Sequence, residues 1–355
     1  MRILFTCEAF APDFLGGGEY VTLETARYLR GHGLDVRVLT TGDPGVAEYG
    51  GVPTERLPVS RYAMNLAVRR IVRAAQGADL IQTFNFHACL PSLIAGRLLG
   101  IPVLCTVLGL FDGEWLGLRG PLVGRAYRAW ERFLVSRRFD RTIFLSDFSR
   151  TLGERLGADP RRSTVIAPGI DLDAHRPHPV KEQEVLFVGK FEPRKGIDDL
   201  LAVARALPDV RFRAVGWGER LAAYRRSAPP NLVFETFERG ARLSEHFARA
   251  SVFFFPSRAE TFGLVVAQAM AAGCAVVSTV PLGFAGEPVR PGDQTRMAAL
   301  LDGLIRDPAR TRELGERNRV RARVFRWETH ADALLRLYEE VLAERRTAHG
   351  QVRDA

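Results

Sequence analysis

The chain has 355 residues, too many for one compact core, so two domains are expected. A hydrophobic share of 46% with 26% charged residues excludes a disordered or fibrous polypeptide, and no stretch approaches the roughly 18 consecutive apolar residues of a membrane span. Lys and Arg number 50 against 41 Asp and Glu, a formal charge of +9, which favours an anionic partner without choosing among nucleotide phosphates, nucleic acid and lipid head groups.

Taken in order, Ile3 to Thr6 read as a first strand rather than as part of a signal peptide. The loop Ala11 to Gly18 leads into a helix from about Glu19 to Arg30, stopped at Gly31 or Gly33, and Val36 to Thr40 form the second strand. After a loop rich in Gly and Pro, Tyr62 to Ala75 reads as a helix and Asp79 to Thr83 as a buried strand. Leu90 to Leu99 is the next helix, Pro102 to Val107 a strand, Arg125 to Arg138 a helix, and Arg141 to Leu145 and Val165 to Ile166 short strands. Such alternation predicts a parallel sheet covered on both faces.

The segment from Ala167 to Glu184, with three prolines and mixed charge, breaks the pattern. The domain boundary is set there: residues 1–168 form the first domain, 169–184 the linker and 185–326 the second domain. A second series of strands follows at Val185 to Val188, Arg211 to Val215, Leu232 to Phe234, Val252 to Phe255 and Ala275 to Ser278, each leading into a helix-like stretch. The last element, residues 327–346, has Ala333, Leu334, Leu337, Tyr338 and Val341 on one face, as a docked amphipathic helix requires, and a frayed tail is expected after it. Cys7, Cys89, Cys105 and Cys274 lack metal-ligand spacing, so reduced thiols, a cytoplasmic location and no metal are expected.

Three stretches carry chemistry. Gly16 to Gly18, between a strand and a helix, allow close backbone approach and direct N–H groups toward an anion; a tight turn is the other reading. In Phe187 to Leu201 a buried strand ends at Gly189, and Lys190 and Lys195 flank the loop before the next helix. Two ammonium groups at a strand's carboxyl end can neutralise a departing diphosphate without a metal. In Ser251 to Ser278 a run of phenylalanines is followed by Glu260, then by Phe262 and Gly263 at a helix start, with Gln268 within that helix. A carboxylate and open helix N–H groups at one sheet edge suit a sugar and a phosphate.

These stretches, with the loop Pro168 to Asp171 and the element from Trp327 onward, resemble the retaining glycosyltransferases of family 4 over nearly the whole chain. The resemblance implies the GT-B fold: two doubly wound Rossmann-like α/β domains facing across a cleft, with the C-terminal helix crossing back to the first. It also implies that Gly16 and Gly17 face the diphosphate, that Lys190 and Lys195 bind it, and that Glu260 contacts the transferred sugar. Gly189, Gly216, Phe262, Gly263, Leu264 and Gln268 complete the implied donor site, with the nucleotide mainly on the second domain.

The chain departs from the family pattern at three places. The second acid of the E-x7-E element is Gln268; the histidine of the T-x-HG element is Leu108, in Thr106-Val107-Leu108-Gly109; and the loop after Ser278 is short. A donor sugar with an apolar face would suit Leu108, and so would loss of activity. His87, after a buried strand, is a candidate acceptor contact or substitute for the missing histidine, with Asp112 and Glu114 as further acceptor-side candidates beside their readings as a core histidine and a surface loop. Asp171 and Asp173 mimic a metal-binding DxD but fall in the linker and are discounted. Seven arginines between Arg119 and Arg141, with Arg125, Arg128 and Arg132 on one helical face, suit an anionic membrane at the inner face as well as a solvated helix.

The expected function is thus transfer of a sugar from a nucleotide diphosphate donor to a small-molecule, glycan or lipid-linked acceptor, with retention and without metal or other cofactor. Nucleic acid is not expected as a partner. A noncatalytic sugar-nucleotide-binding protein and a nucleotide-sugar 2-epimerase are the alternatives; the E-x7-Q element speaks against the second.

Overall fold

The computed structural model describes residues 1–13, 16–236 and 241–353, with backbone alone at 241 and 348–353. It divides into two compact units, Met1–Gly169 with Trp327–Ala355, and Ile170–Arg326.

The first unit begins with β1 (Arg2–Thr6), α1 (Gly17–Gly31), β2 (Asp35–Thr41), β3 (Glu48–Tyr49), β4 (Val52–Leu57), α2 (Val68–Ala74), β5 (Leu80–Phe84), α3 (Cys89–Leu99) and β6 (Val103–Val107). It continues with α4 (Glu114–Arg119), α5 (Pro121–Val135), β7 (Arg141–Phe144), α6 (Asp147–Arg155) and β8 (Ser163–Val165). The eight-stranded sheet has the order β3-β4-β2-β1-β5-β6-β7-β8 and is parallel except where β3 meets β4. β5 and β6 are buried at every residue. β6 accordingly reads in sequence as a nearly continuous apolar run, whereas β5 buries Gln82 and Thr83 among its apolar residues.

The second unit carries β9 (Glu182–Lys190), α7 (Ile197–Ala206), β10 (Arg211–Trp217), α8 (Leu221–Ser227), β11 (Leu232–Thr236), α9 (Ala241–Arg249) and β12 (Ala250–Phe255). α10 (Leu264–Ala271), β13 (Ala275–Ser278), α11 (Gln294–Arg306) and α12 (Pro308–Ala322) complete it. Its five strands run parallel in the order β11-β10-β9-β12-β13. Phe253, Phe254 and Phe255 of β12 are fully buried, with Phe187 of β9 beside Phe255.

Several expected elements differ. The helix over Tyr62 to Ala75 is two pieces, a 3-10 turn at Arg61–Leu66 and α2, because Ala67 leaves helical geometry at φ −80°, ψ 15°. The Gly- and Pro-rich loop before it contains β3 and β4. The helix placed at Arg125 to Arg138 starts earlier, with Pro121 at its first position, and ends at Val135. β9 begins at Glu182, within the expected linker. The last helix, α13, runs from Trp327 to Arg353 instead of fraying after Arg346, and Ala331, not Ala333, is the small residue it buries.

α13 belongs to the first unit. Leu334, Leu337, Tyr338 and Val341 enter the core formed by α1, β1, β2 and β5, where burial of each side chain contributes roughly 1.5–3 kcal/mol. Trp327 stacks on Tyr28 at 5.6 Å, and the Tyr338 hydroxyl donates to Gln82 Oε1. His330, fully enclosed, joins two segments. Its Nδ1 donates to the Ala167 carbonyl at 2.9 Å, so Nε2 is left to accept from the Thr25 hydroxyl at 2.9 Å.

Burial pulls the His330 pKa down to about 4, with the Ala167 bond opposing the shift. An unfolded histidine titrates near ~6.5, so on acidification the unfolded chain takes up this proton first. Stability should therefore fall from about pH 7 toward pH 4 by a few kcal/mol from this group and level off below that. Urea unfolding across that range should show a shallower pH slope for His330→Asn than for the wild type. An unchanged slope would contradict the neutral, enclosed histidine.

Candidate functional site

In the second sheet the chain steps outward from β9 to β10 and β11, then returns to the other side of β9 for β12 and β13. The order reverses between β9 and β12. In open α/β sheets ligands bind beyond the carboxyl ends of the strands at such a reversal.

The loops leaving these two strands are joined. The Arg258 N–H donates to the Arg194 carbonyl at 2.8 Å, and Arg194 Nη1 donates to the Ala259 carbonyl at 3.4 Å. Lys195 donates to Glu260 Oε1, which also accepts from the Ser257 hydroxyl at 3.0 Å. Both charged side chains are only 15% exposed. Burial pushes the Lys195 ammonium below its ordinary pKa, while Glu260 opposes the shift. Lys195 also lies 5.6 Å over the Phe255 ring. The close approach of the loops needs a glycine at 196: φ is +76°, and a Cβ there would sit 2.1 Å from the Pro256 carbonyl oxygen.

The remaining donor-site residues fall around this pair. Lys190 is half exposed and meets Glu192 at 3.1 Å. Burial alone would raise the Glu192 carboxyl, but Arg194, Lys190 and Lys195 together hold it below its ordinary value. Gly189 ends the buried part of β9. A Cβ at Gly216 would lie 1.8 Å from the Gly189 carbonyl oxygen, which gives this glycine a packing role between strands. The Phe262 ring is buried edge-on against Phe325 at 5.2 Å, so its backbone alone is left for a ligand. Gly263, at φ 89°, caps α10, whose first N–H groups have no intrahelical partner. Leu264 and Gln268, both half-buried, are four residues apart and so share a face of that helix. Chemically, the loops gather three cations, Lys190, Arg194 and Lys195, against two carboxylates beside a helix N-terminus, which suits an anion.

The first sheet has its own reversal. The chain goes from β1 to β2 and β4 on one side, then to β5 and onward on the other. Glu8 follows β1, and its half-buried carboxylate accepts the N–H groups of Phe86 at 3.0 Å and His87 at 3.2 Å, beyond β5. Burial raises its pKa against those bonds. The His87 ring packs edge-on against Tyr62 at 5.1 Å and meets Asn65 Nδ2 at 2.9 Å. Asn85 Oδ1 accepts from the Leu108 N–H at 2.7 Å, and its Nδ2 donates to the Gly109 carbonyl at 2.7 Å. Leu108 so held packs against the first glycine loop: a Cβ on Gly18 would lie 3.3 Å from its Cδ1.

In that loop Gly16 caps α1 and donates its N–H to Glu19 Oε2 at 2.9 Å. Gly17 is the first helical residue; Phe14 and Leu15 lie outside the described residues. Asp112, an acceptor-side candidate, accepts from Arg128 Nε at 2.6 Å, and Arg128 belongs to the basic face expected with Arg125 and Arg132. Glu114 starts α4 as its first-turn acid. The loop between β6 and α4 is organised by Glu131, a fully buried carboxylate that accepts from Phe111 N at 2.9 Å, Asp112 N at 2.7 Å and Trp115 Nε1 at 3.1 Å. In the DxD look-alike, Asp171 Oδ1 accepts from Asp173 N at 3.0 Å and Asp173 pairs with Arg176.

Residues 15–174 match the family model described as Glycosyltransferase Family 4, and residues 182–310 match Glycosyl transferases group 1. The chain belongs to the family 4 glycosyltransferases. Like other proteins of GT-B fold, this family 4 glycosyltransferase is built on two Rossmann-like parallel sheets. Among curated relatives it is 32% identical over 226 residues to a D-inositol 3-phosphate glycosyltransferase of Segniliparus rotundus, covering 54% of this chain and 50% of that protein. The chain thus spans about half the length of the curated relatives it matches. Its fold is similar to sucrose-phosphate synthase from Thermosynechococcus elongatus, with TM-score 0.78, 22% identity, 97% of this chain and 100% of the other covered. It is also similar to Anabaena HepE in complex with UDP-glucose, with TM-score 0.78, 20% identity, 96% and 100% covered.

Within this glycosyltransferase the sequence reading missed Glu8, Asn85, Glu131, Arg194 and Ser257. Glu8 had a signal, a charge directly after a buried strand at its ligand-facing end. Arg194 had one too, standing between the two lysines. Glu131 had only its position in an amphipathic helix, where an acid ordinarily faces water.

Proposed function

We propose that this protein transfers a sugar from a nucleotide diphosphate donor to an acceptor hydroxyl, with retention of anomeric configuration and without a metal ion. The observation that carries this reading is the joining of Lys195 and Glu260 at the reversal of the second sheet, beside Lys190, Arg194 and the start of α10. A lysine has three donors; one is held by Glu260, and two can reach the leaving diphosphate. Oε2 of Glu260 would accept from sugar hydroxyls, and Gln268 from a ribose diol. Front-face attack balances the step: the bond from the anomeric carbon to the phosphate oxygen breaks, the acceptor oxygen bonds to that carbon, and the acceptor proton passes to a donor phosphate oxygen. No protein base is then required. The UDP and UDP-glucose named in the HepE structures support a donor of this class, and the name of the Segniliparus relative supports a polyol acceptor.

A second reading, a noncatalytic sugar-nucleotide-binding protein, is favoured by Leu108, an apolar side chain packed on Gly18 where the family carries histidine. Incubation with UDP-, GDP-, ADP- and dTDP-sugars separates the two. Transfer to an acceptor, or slow donor hydrolysis, is expected for one donor class. Thermal stabilisation with neither would establish the second reading, and no response to any donor would sink both.

We also propose peripheral contact with an anionic membrane through the α4–α5 hairpin. Leu116, Leu118, Leu122 and Val123 are exposed there, Leu122 at 78%, beside Arg119 and Arg125. Among the described residues no helix is long and apolar enough to cross a membrane. Sedimentation with phosphatidylglycerol vesicles should be weakened by salt and by Leu122→Asp; binding insensitive to both would remove this contact.

A further inference from the structure

The loops assigned above follow β1, β5, β6, β9 and β12 and so leave the carboxyl ends of their strands. The opposite end of the first sheet, where β6 starts at Val103 and β7 at Arg141, holds a cavity of about 440 Å³. Small-molecule sites commonly enclose about 300–1,000 Å³.

The floor of this cavity is apolar. Leu93 of α3, Val103 of β6 and Val341 of α13 are buried side chains that line it, together with half-buried Ile101 from the turn between α3 and β6. Gly96 lets α3 lie this close to β6. A Cβ there would sit 2.1 Å from Val103 Cγ2, and the Gly96 carbonyl accepts the Ile101 N–H at 3.0 Å. Arg97, the next residue, is thereby carried to the rim.

The rim is charged. The guanidinium groups of Arg97, Arg138, Arg162 and Arg345 face the carboxylates of Asp140 and Glu344, a net charge of +2. Both carboxylates are engaged. Asp140 Oδ1 accepts from Arg345 Nη2 at 2.9 Å and its Oδ2 from the Val103 N–H at 2.8 Å, while Glu344 accepts from Arg141. Arg162 Nη1 donates to the Phe139 carbonyl at 3.1 Å, which sets this side chain beside Arg138, and its Nε lies 3.7 Å from Asp159. Among the described residues Arg97 and Arg138 have no acceptor within hydrogen-bond distance, and both are exposed. Like charges gathered around one cavity repel, and a bound anion relieves that repulsion.

The charge and the floor together select the anion. Guanidinium forks match the oxygens of phosphates and carboxylates in pairs. A phosphate monoester carries about −1.5 to −2 charges at neutral pH, close to the opposite of the rim, whereas one carboxylate would leave half of the rim uncompensated. Inorganic phosphate would leave the apolar floor in water; an ester with an apolar body covers it.

We propose that this cavity is a second ligand site, for a small phosphate monoester. Arg97 and Arg138 hold the phosphate, with Arg162 beside them, and the apolar body of the ester lies on Leu93, Ile101, Val103 and Val341. Because α13 supplies one wall and the strand starts another, a bound ester ties the last helix to the sheet and stabilises the first unit. The site goes beyond the glycosyl-transfer reading and does not depend on it.

The test uses the full chain and its Arg97→Gln, Arg138→Gln and doubly substituted variants. Arg312→Gln, at an exposed arginine of the second unit, is the control for net charge. Each protein is titrated calorimetrically with phenyl phosphate, inorganic phosphate and phenol, and its unfolding temperature is measured with and without phenyl phosphate. Arg97 and Arg138 are exposed, so without ligand the variants should unfold with the wild type. Phenyl phosphate should bind the wild type more tightly than either of its parts and raise its unfolding temperature. Loss of a charge-assisted contact should weaken that binding roughly tenfold for each of the two arginines, with no change in Arg312→Gln. Four results would each overturn the proposal: no binding of phenyl phosphate, binding indifferent to Arg97 and Arg138, an equal loss in Arg312→Gln, or inorganic phosphate or phenol binding as tightly as the ester.

Discussion

The Lys195–Glu260 ion pair is the contact on which the second unit's site depends. Removing two charges from water is unfavourable by several kcal/mol per ion, and it is tolerated only where each is the other's partner and further hydrogen bonds complete the shell. Here the hydroxyl of Ser257 completes it for the carboxylate. The pair in turn fixes two loops that leave neighbouring strands, and it forms only because Gly196 lets one backbone lie against Pro256 of the other. A chain of causes therefore runs from the strand order, which brings β9 beside β12, through one glycine, to a buried ammonium with donors left for an anion.

The first unit solves a similar problem with different residues. Its sheet also reverses, and there too a carboxylate stands just beyond a buried strand. Glu8, however, holds backbone N–H groups of the loop after β5 rather than a lysine. Glu131 does the same for the loop after β6. Both acids are turned inward to rigidify loops, so the side chains those loops present, His87 and the aromatic run from Phe86 to Tyr127, are held in place before any ligand arrives. Preorganisation of this kind reduces the ordering cost of binding.

Much of this was legible in the sequence wherever a residue's neighbours along the chain share its environment. Buried parallel strands such as β6 and β12 show as largely apolar runs, and glycine loops show as breaks, so the two-domain α/β plan and the Lys195 and Glu260 positions could be read directly. What could not be read depends on contacts distant in sequence. β4 was passed over because Thr54, Glu55 and Arg56 look like a surface loop. Arg56 is in fact buried, since Asp13 and the Ala11 carbonyl hold it. The bond from Arg128 to Asp112, sixteen residues earlier, shows in no local pattern. Lys195 and Glu260 were given separate duties because 65 residues separate them, and their mutual bond appears only in the fold.

The central claim is that Lys195 is an anion-binding group held ready by Glu260, and a nucleotide titration tests it most directly. Calorimetry of the nucleoside diphosphate that binds the wild type most tightly should be compared with Lys195→Ala and Glu260→Gln. Both substitutions break the ion pair, so any general damage is common to the two. The account predicts that Lys195→Ala loses about tenfold or more in affinity while Glu260→Gln, which leaves the ammonium in place, retains it. Equal affinity in wild type and Lys195→Ala, or equal loss in both variants, would contradict it.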